Sequence, residues 1–321
     1  MGRATYESTC QRRSSVAAAL TTLITLFLAV LLLGGCEKNS DEDSPPVNFK
    51  IASCSPGLNL KECEVEKRFA DYLANNTDAA IWRYRQRFGS EINTDNAREL
   101  SEDYAPKGVE TDSVQARDAR TRWSAAVQEP ASLLSKELYR RMLAADTIVF
   151  TAGGAGSGKS SALKGLSPVE AVLSRAFAIY DTTLSAEDSS LARIEQAFKS
   201  GKKVYIIYVF RDPVASLELA LGRAKSNGRT VPLKAFVEGH LGAPKVLATI
   251  LKKYGNDARF NYRIIDNSFD EGMQKIVTDD IDKFFSGRAQ TRVDLVPKLE
   301  QTLDAALKSG KISQEVYEAS K

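Results

Sequence analysis

The chain has 321 residues, with 44 Lys and Arg against 41 Asp and Glu, and a formal net charge of +3. Charge this evenly balanced leaves no basic footprint for nucleic acid, so no nucleic-acid partner is expected. With one histidine, His240, and no cysteine after Cys63, histidine triads, multi-histidine metal sites and thiol nucleophiles are excluded from most of the chain. A hydrophobic content of 43% suffices for a proper core.

At the N-terminus Arg3, Arg12 and Arg13 precede an apolar stretch, Val16 to Leu33, which runs into Leu33-Gly34-Gly35-Cys36. This resembles a bacterial lipoprotein signal peptide over residues 1–35, and the resemblance implies that Cys36 becomes the lipidated first residue of the mature chain. A plain membrane-spanning helix is the alternative, since the apolar run is just long enough. Both readings keep the basic flank in the cytoplasm and put the body outside. The expected location is the bacterial cell envelope, anchored to the membrane by lipid and facing the periplasm or exterior. Residues 36–60 read as a tether, polar and acidic from Glu37 to Pro46. Cys54 and Cys63 either form one disulfide in an oxidising compartment or stay as two free thiols.

Residues 61–145 carry helical spacing, with Val65, Phe69, Tyr72 and Leu73, then Ile81, Tyr84 and Phe88 before the stop at Gly89. Further helices are expected at Thr94 to Tyr104, Ser113 to Val127 and Pro130 to Leu143. The pattern then changes. Apolar strands at Thr147 to Thr151, Ala176 to Tyr180, Val204 to Phe210 and Tyr262 to Asp266 alternate with helical segments, the signature of a parallel sheet built from βαβ units. Ser167-Pro168-Val169-Glu170 reads as a capping box, and Ser185 with Asp188 as a weaker one. The C-terminal residues 289–321 read as two helices broken at Gly310.

Within TIVFTAGGAGSGKSSAL (residues 147–163), Gly153, Gly158, Lys159 and Ser160 complete G-x-x-x-x-G-K-S directly after a β-branched run. This is a phosphate-binding P-loop. Gly153, Gly154, Gly156 and Gly158 let successive N–H groups turn inward around an anion, with Ala155, Ser157 and Ser161 completing the cradle. Lys159 reaches the β- and γ-phosphates and Ser160 offers a hydroxyl to Mg²⁺. The expected fold is therefore α/β: a P-loop NTPase-type parallel sheet flanked by helices over residues 146–288, with an N-terminal helical region and C-terminal helices. A guanine-reading N-K-x-D element is missing, which disfavours a GTPase-like switch.

Ligands of parallel sheets bind beyond the carboxyl ends of the strands. The residues there are the P-loop, Asp181-Thr182-Thr183, Arg211-Asp212 and Asp266-Asn267. Asp181-Thr182-Thr183-Leu184, the helix Ala192 to Lys199, the strand VYIIYVF, Arg211-Asp212-Pro213 and Gly228-Arg229-Thr230-Val231-Pro232 follow in order. In these the chain resembles the zeta-toxin family of P-loop kinases, over about Thr147 to Asn267. The resemblance implies an enzyme that transfers the γ-phosphate of ATP, with Mg²⁺, to a hydroxyl of a small acceptor. In the family that acceptor is the sugar of UDP-N-acetylglucosamine, and here the acceptor and any antitoxin partner stay open. Asp181 reads as a Mg²⁺ ligand, a base or an acceptor clamp, or as a simple cap of the next helix. Arg223 and Arg229 are implied to touch nucleotide phosphates, with plain solvation as the alternative. Asp212 is expected to cap the helix at Pro213, and His240 to lie on a surface helix without a catalytic role.

In one respect the chain departs from the family. The usual order places a strand bearing the catalytic Asp, and a substrate-binding helix, between the P-loop and the Asp181 strand, and here that interval is very short. Ile92-Asn93-Thr94-Asp95 and Gln128-Glu129-Pro130-Ala131-Ser132, upstream of the P-loop, look like the missing pieces. The expectation is that this region folds across the sheet's carboxyl end and presents Asp95, with Glu129 nearby, to the acceptor. The alternative is that Asp95 only caps a helix starting near Asn96. Because a lipoprotein outside the cytoplasm meets little ATP, the competing function is a membrane-anchored protein that binds a nucleotide or phosphorylated ligand without catalysis. Intact Lys159 and Ser160 favour chemistry.

Overall fold

The computed structural model of the chain describes residues 45–143, 145–162, 166, 172–173, 178–268, 273–278 and 280–321. The leader with Cys36 and the capping box at Ser167 lie outside the described residues.

Six strands form one sheet: β1 (Glu91–Asn93), β2 (Thr147–Ala152), β3 (Ala178–Asp181), β4 (Lys203–Phe210), β5 (Phe260–Asp266) and β6 (Lys275–Ile276), in the order β1-β3-β2-β4-β5-β6. All neighbours are parallel except β6, which runs antiparallel to β5. The α/β expectation holds. β2 is apolar and buried along nearly its whole length because both faces of the sheet are covered, as a central parallel strand requires. The register sets Asn93 beside Asp181 and Asp181 beside Thr151, so three strands end level at their carboxyl side.

The helices are α1 (Leu60–Asn75), α2 (Thr77–Phe88), α3 (Thr94–Arg98), α4 (Val114–Trp123), α5 (Gln128–Met142), α6 (Lys159–Ala162), α7 (Glu187–Lys199), α8 (Pro213–Asn227), α9 (Leu233–Tyr254), α10 (Ile281–Ser286), α11 (Arg292–Lys308) and α12 (Gln314–Ser320). The helix expected over Thr94 to Tyr104 stops at Arg98. There the N–H groups of Glu99, Leu100 and Ser101 bond back to the carbonyls of Asn96, Ala97 and Arg98, and this three-residue spacing tightens and ends the turn. The expected cap at Ser185 is also absent: α7 starts after Ala186 without a side-chain cap, and the Ser185 hydroxyl bonds the Thr183 hydroxyl at 2.8 Å instead. Asp212 does accept the N–H groups of Val214 and Ala215 at the start of α8. An unanticipated capping box, Asn59 with Glu62, opens α1.

One core runs from Phe69 and Leu73 of α1, through Leu134 and Leu138 of α5, to Phe150 and Tyr180 of the sheet and Leu247 and Ile250 of α9. A second cluster joins α8, α9 and α11 through Leu221, Phe236, Leu295 and Leu299. The segment before α1 is strapped to the helices. Phe49 is buried, the Val47 N–H donates to Glu137 at 3.2 Å, and Ser55 donates its N–H to Glu66 at 2.9 Å. Cys54 and Cys63 are joined as a disulfide with their Cα atoms 5.5 Å apart. Replacing both with Ser should lower the unfolding free energy by about 2–3 kcal/mol, the loop-closure value for so short a ring. Urea unfolding of oxidised wild type against the double variant measures this, and equal midpoints would assign the strap's stability to Phe49 and Glu66 alone.

Candidate phosphate-binding site

The P-loop leaves β2 at Ala152, turns through residues 153–158 and enters α6 at Lys159. Its tightness comes from what presses on it. A Cβ on Gly156, which has φ of 73°, would run into the Ser216 carbonyl of α8, and one on Gly154 would run into the His240 ring of α9. Three further bonds fix the loop: the Gly153 N–H to the Thr183 carbonyl at 3.3 Å, the Ser157 N–H to the Gly154 carbonyl at 3.2 Å, and the Asn267 side-chain amide to the Ser157 carbonyl at 2.8 Å. Lys159 Nζ donates to the Gly153 carbonyl at 3.0 Å and stands 3.9 Å from Asp181 Oδ1. Ser160 and Ser161 are exposed at the start of α6, with the Ser161 hydroxyl on the Gly158 carbonyl, and Ala155 packs on the α8–α9 cluster.

His240 corrects the sequence reading. It is buried, its Nε2 lies 2.9 Å from the Ala155 carbonyl, and its ring packs on Phe236 with centroids 4.4 Å apart. Burial pushes its pKa down to about 4, so at neutral pH the ring is uncharged and donates Nε2–H to the loop. The signal was present in the sequence, since His240 is in phase with the buried stripe Leu233, Phe236, Val237, Ala243, Leu247 of α9.

Asp181, the last residue of β3, does not cap the next helix. Its Oδ1 accepts the Thr151 hydroxyl at 2.6 Å and its Oδ2 accepts the Asn93 amide at 2.6 Å, so one carboxylate joins the ends of β2, β3 and β1. Asn93 is held in turn by the Tyr84 hydroxyl, which accepts its N–H at 2.9 Å. The Asn93 side-chain oxygen accepts the Asp95 N–H at 2.7 Å, making Asn93 the N-cap of α3. Asp95 is therefore not the cap, and its side chain is free to face the site from the first helical turn. It lies 3.3 Å from Arg98. Burial alone would raise the Asp95 pKa, but Arg98, Arg223, Arg229 and Lys159 together hold it below the ordinary carboxylate value.

The structure thus brings Lys159, Asp181, Asp95, Arg223 and Arg229 into one electrostatic cluster. Arg229 is not a solvated arginine; its Nη2 donates to Glu99 at 3.2 Å. Arg223 is half-buried, with a buried Nε lacking a hydrogen-bond partner, as do the buried hydroxyls of Tyr104 and Thr230. Glu129, expected beside Asp95, is exposed in the first turn of α5, and it is its neighbour Gln128 that accepts a bond from Arg98. Sequence reasoning missed Thr151, Arg98 and Glu99, and although it placed Asn93 and Asn267 in site segments it gave them no role, because the bonds of Asn93 and Thr151 to Asp181 depend on strand register. Among the described residues no group of three or more His, Cys, Asp or Glu side chains is placed to hold a metal ion. No described helix is long and apolar enough to cross a membrane.

The chain is an α/β protein with a P-loop at the carboxyl end of a central parallel strand and carboxylates and arginines in the same electrostatic cluster. Residues 169–268 match the family model described as Zeta toxin, a match that covers less than half of the chain and begins after the P-loop. No curated protein matches the chain in sequence. Among solved structures the chain is similar to an AvrRxo1-ORF1:AvrRxo1-ORF2 complex with ATP, at 12% identity and a TM-score of 0.41, over 67% of this chain and 92% of that one. It is also similar to the complex with sulphate ions, at 14% identity and a TM-score of 0.40 over the same shares. A structure from the PezAT toxin-antitoxin system of Streptococcus pneumoniae aligns at 14% identity and a TM-score of 0.32, over 73% of this chain and 83% of that one.

The His240 geometry makes a pH prediction. Between pH 6.5 and about 4 the unfolded imidazole binds a proton that the folded one refuses, so its stabilising contribution is complete above pH 6.5 and is lost as pH falls toward 4. His240→Gln, which keeps an N–H donor but does not titrate, should flatten that part of the Tm-against-pH curve. Parallel curves for wild type and variant would contradict the buried neutral ring.

Proposed function

We propose that the chain is a P-loop phosphotransferase that moves the γ-phosphate of ATP to a hydroxyl of a small acceptor. The observation that carries this reading is that Asp95, which precedes the P-loop by a whole helical region, is tied to it through Asn93, whose side chain accepts the Asp95 N–H at 2.7 Å and bonds Asp181 at 2.6 Å, with Asp181 3.9 Å from Lys159. The family match over residues 169–268 supports the same class of chemistry. The loop fits a polyphosphate, since its glycines press so closely on Val209, Ser216, His240 and Asn267 that no side chain is tolerated and the backbone is held in one tight turn, with Lys159 hydrogen-bonded only to a loop carbonyl among the described residues. The Ser160 hydroxyl and the Asp181 carboxylate are hard oxygen donors of the type Mg²⁺ takes. Bound Mg-ATP would supply the phosphoryl group and neutralise part of its charge.

The protein's own residues do the rest. Main-chain amides of the loop and Lys159 hold the phosphates, and Asp95, kept ionised by its four cationic neighbours, accepts the proton of the acceptor hydroxyl as its oxygen bonds the γ-phosphorus and the bond from that phosphorus to the β,γ-bridging oxygen breaks, releasing ADP. Arg223 and Arg229 stabilise charge on the group in transfer without having to reorganise. Asp181 keeps Lys159 and the strand ends in place. A UDP-amino sugar is the acceptor class that the family resemblance brings. Lipid on Cys36 would hold this machinery at the envelope membrane, and an antitoxin-like protein partner belongs to the same reading.

The test is to incubate Glu37 to Lys321 with Mg-ATP and a panel of UDP-sugars and to detect phosphorylated sugar by mass spectrometry. Product should disappear in Lys159→Ala. Asp95→Asn should lower kcat by roughly 10²–10⁴-fold, the usual contribution of a general base, with ATP affinity changed little. Nucleotide binding without product in any arm would leave a binding protein. An unaffected Asp95→Asn beside an inactive Asp181→Asn would take the base role from Asp95. Because its cationic neighbours hold the Asp95 pKa below the ordinary carboxylate value, the pH profile of kcat/KM should show no acid limb from this residue near neutral pH.

A further inference from the structure

Glu99 follows α3 by one residue, and its side chain is only 2% exposed. Three guanidinium groups converge on it. Oε1 accepts Arg120 Nε at 3.2 Å and Arg229 Nη2 at 3.2 Å, while Oε2 accepts Arg120 Nη2 at 3.2 Å and Arg87 Nη2 at 3.2 Å. Arg87 belongs to α2 and Arg120 to α4, both in the upstream helical region, whereas Arg229 belongs to the segment that leaves α8. The backbone closes the same joint. The Thr121 hydroxyl of α4 donates to the Gly228 carbonyl at 3.3 Å, and Gly228, with φ of 76°, sits so close to α4 that a Cβ would run into the Arg117 carbonyl.

Arg120 alone would satisfy a buried carboxylate, since it already makes a two-point bond to Glu99 and donates Nη1 to the Thr111 carbonyl at 2.7 Å. Arg229 is different. Its side chain remains 25% exposed, and the bond to Glu99 engages one of the five N–H donors of its guanidinium. Among the described residues its side chain makes no second hydrogen bond, and the Asp95 carboxylate acts on the same guanidinium, so the remaining donors can meet an anion there.

We propose that Glu99 is a positioning residue for phosphoryl transfer: it fastens residues 228–232 to the upstream helices and so holds Arg229 at the Asp95 side of the site. The catalytic part of this rests on the phosphotransferase reading; the fastening of residues 228–232 does not.

Glu99→Gln tests it through three readouts. The kcat for transfer should fall roughly 10- to 100-fold while the KM for ATP moves less than about threefold, the pattern of a misplaced transition-state donor. In a double-mutant cycle with Arg229→Gln, the two losses should be strongly non-additive. Amide hydrogen exchange at residues 228–232 should quicken by roughly tenfold or more. If Glu99→Gln does not fold because Arg120 loses its carboxylate, Gly228→Ala leaves that pair intact, displaces only the joint and should give the same kcat loss. A folded Glu99→Gln or Gly228→Ala with wild-type kcat, additive losses in the cycle, or unchanged exchange at 228–232 would overturn the proposal. Should wild type transfer no phosphate, the phosphotransferase reading falls, and the exchange data still decide whether Glu99 holds the segment.

Discussion

The arrangement depends on one carboxylate. Asp181 takes a hydroxyl from the end of β2 and an amide from the end of β1, each at 2.6 Å, with the P-loop ammonium 3.9 Å away. Hydrogen bonds to an ionised acceptor are stronger than neutral ones, and here they are partly shielded from water. β1 is three residues long and lies at the edge of the sheet, so its pairing with β3 contributes little by itself. The Asp181 bond to Asn93 adds a side-chain tie at the point where the strand turns into α3. Asn93 serves both elements, giving its amide to Asp181 and its oxygen to the first turn of α3, and that turn carries Asp95.

Charge balance follows from this geometry. Arg98, Arg223, Arg229 and Lys159 would repel one another if gathered without anions, and the P-loop is built to attract one. Asp95 and Glu99 offset part of that charge in the ligand-free protein, and they divide the work. Glu99 is sealed in with Arg120, while Asp95 keeps the more open position from which a proton can be taken. The helical region upstream of the P-loop therefore does more than cover the sheet, because it supplies both carboxylates and the helices on which the Arg229 segment rests.

The P-loop and strands β2, β4 and β5 were legible because they are long apolar runs punctuated by glycine or charge, and β3 was legible for the same reason over a shorter run. β1 and β6 were not readable as strands, since three and two residues carry no periodicity. The upstream origin of Asp95 was visible only through the family resemblance. Its separation from the helix cap was not, because Asn93, Thr94 and Asp95 are all plausible caps in sequence and only the bond to Asp181 decides which of them turns inward. Glu99 escaped notice and His240 was expected on the surface for a common reason: polar residues are ordinarily exposed, and although the apolar phase of its helix pointed inward for His240, the partners that bury each of them come from distant segments.

The central claim is that Asp95 and Lys159, separated in sequence by the upstream helices, act on one phosphate. A crystal structure of the protein with Mg²⁺ and a non-hydrolysable ATP analogue tests it most directly. We expect Lys159 Nζ to leave the Gly153 carbonyl for the γ-phosphate, with the Asp95 carboxylate across from that phosphate, where an acceptor hydroxyl would fit between them. A nucleotide seated in the loop with its γ-phosphate directed away from Asp95, toward the β5 end of the sheet, would contradict the claim.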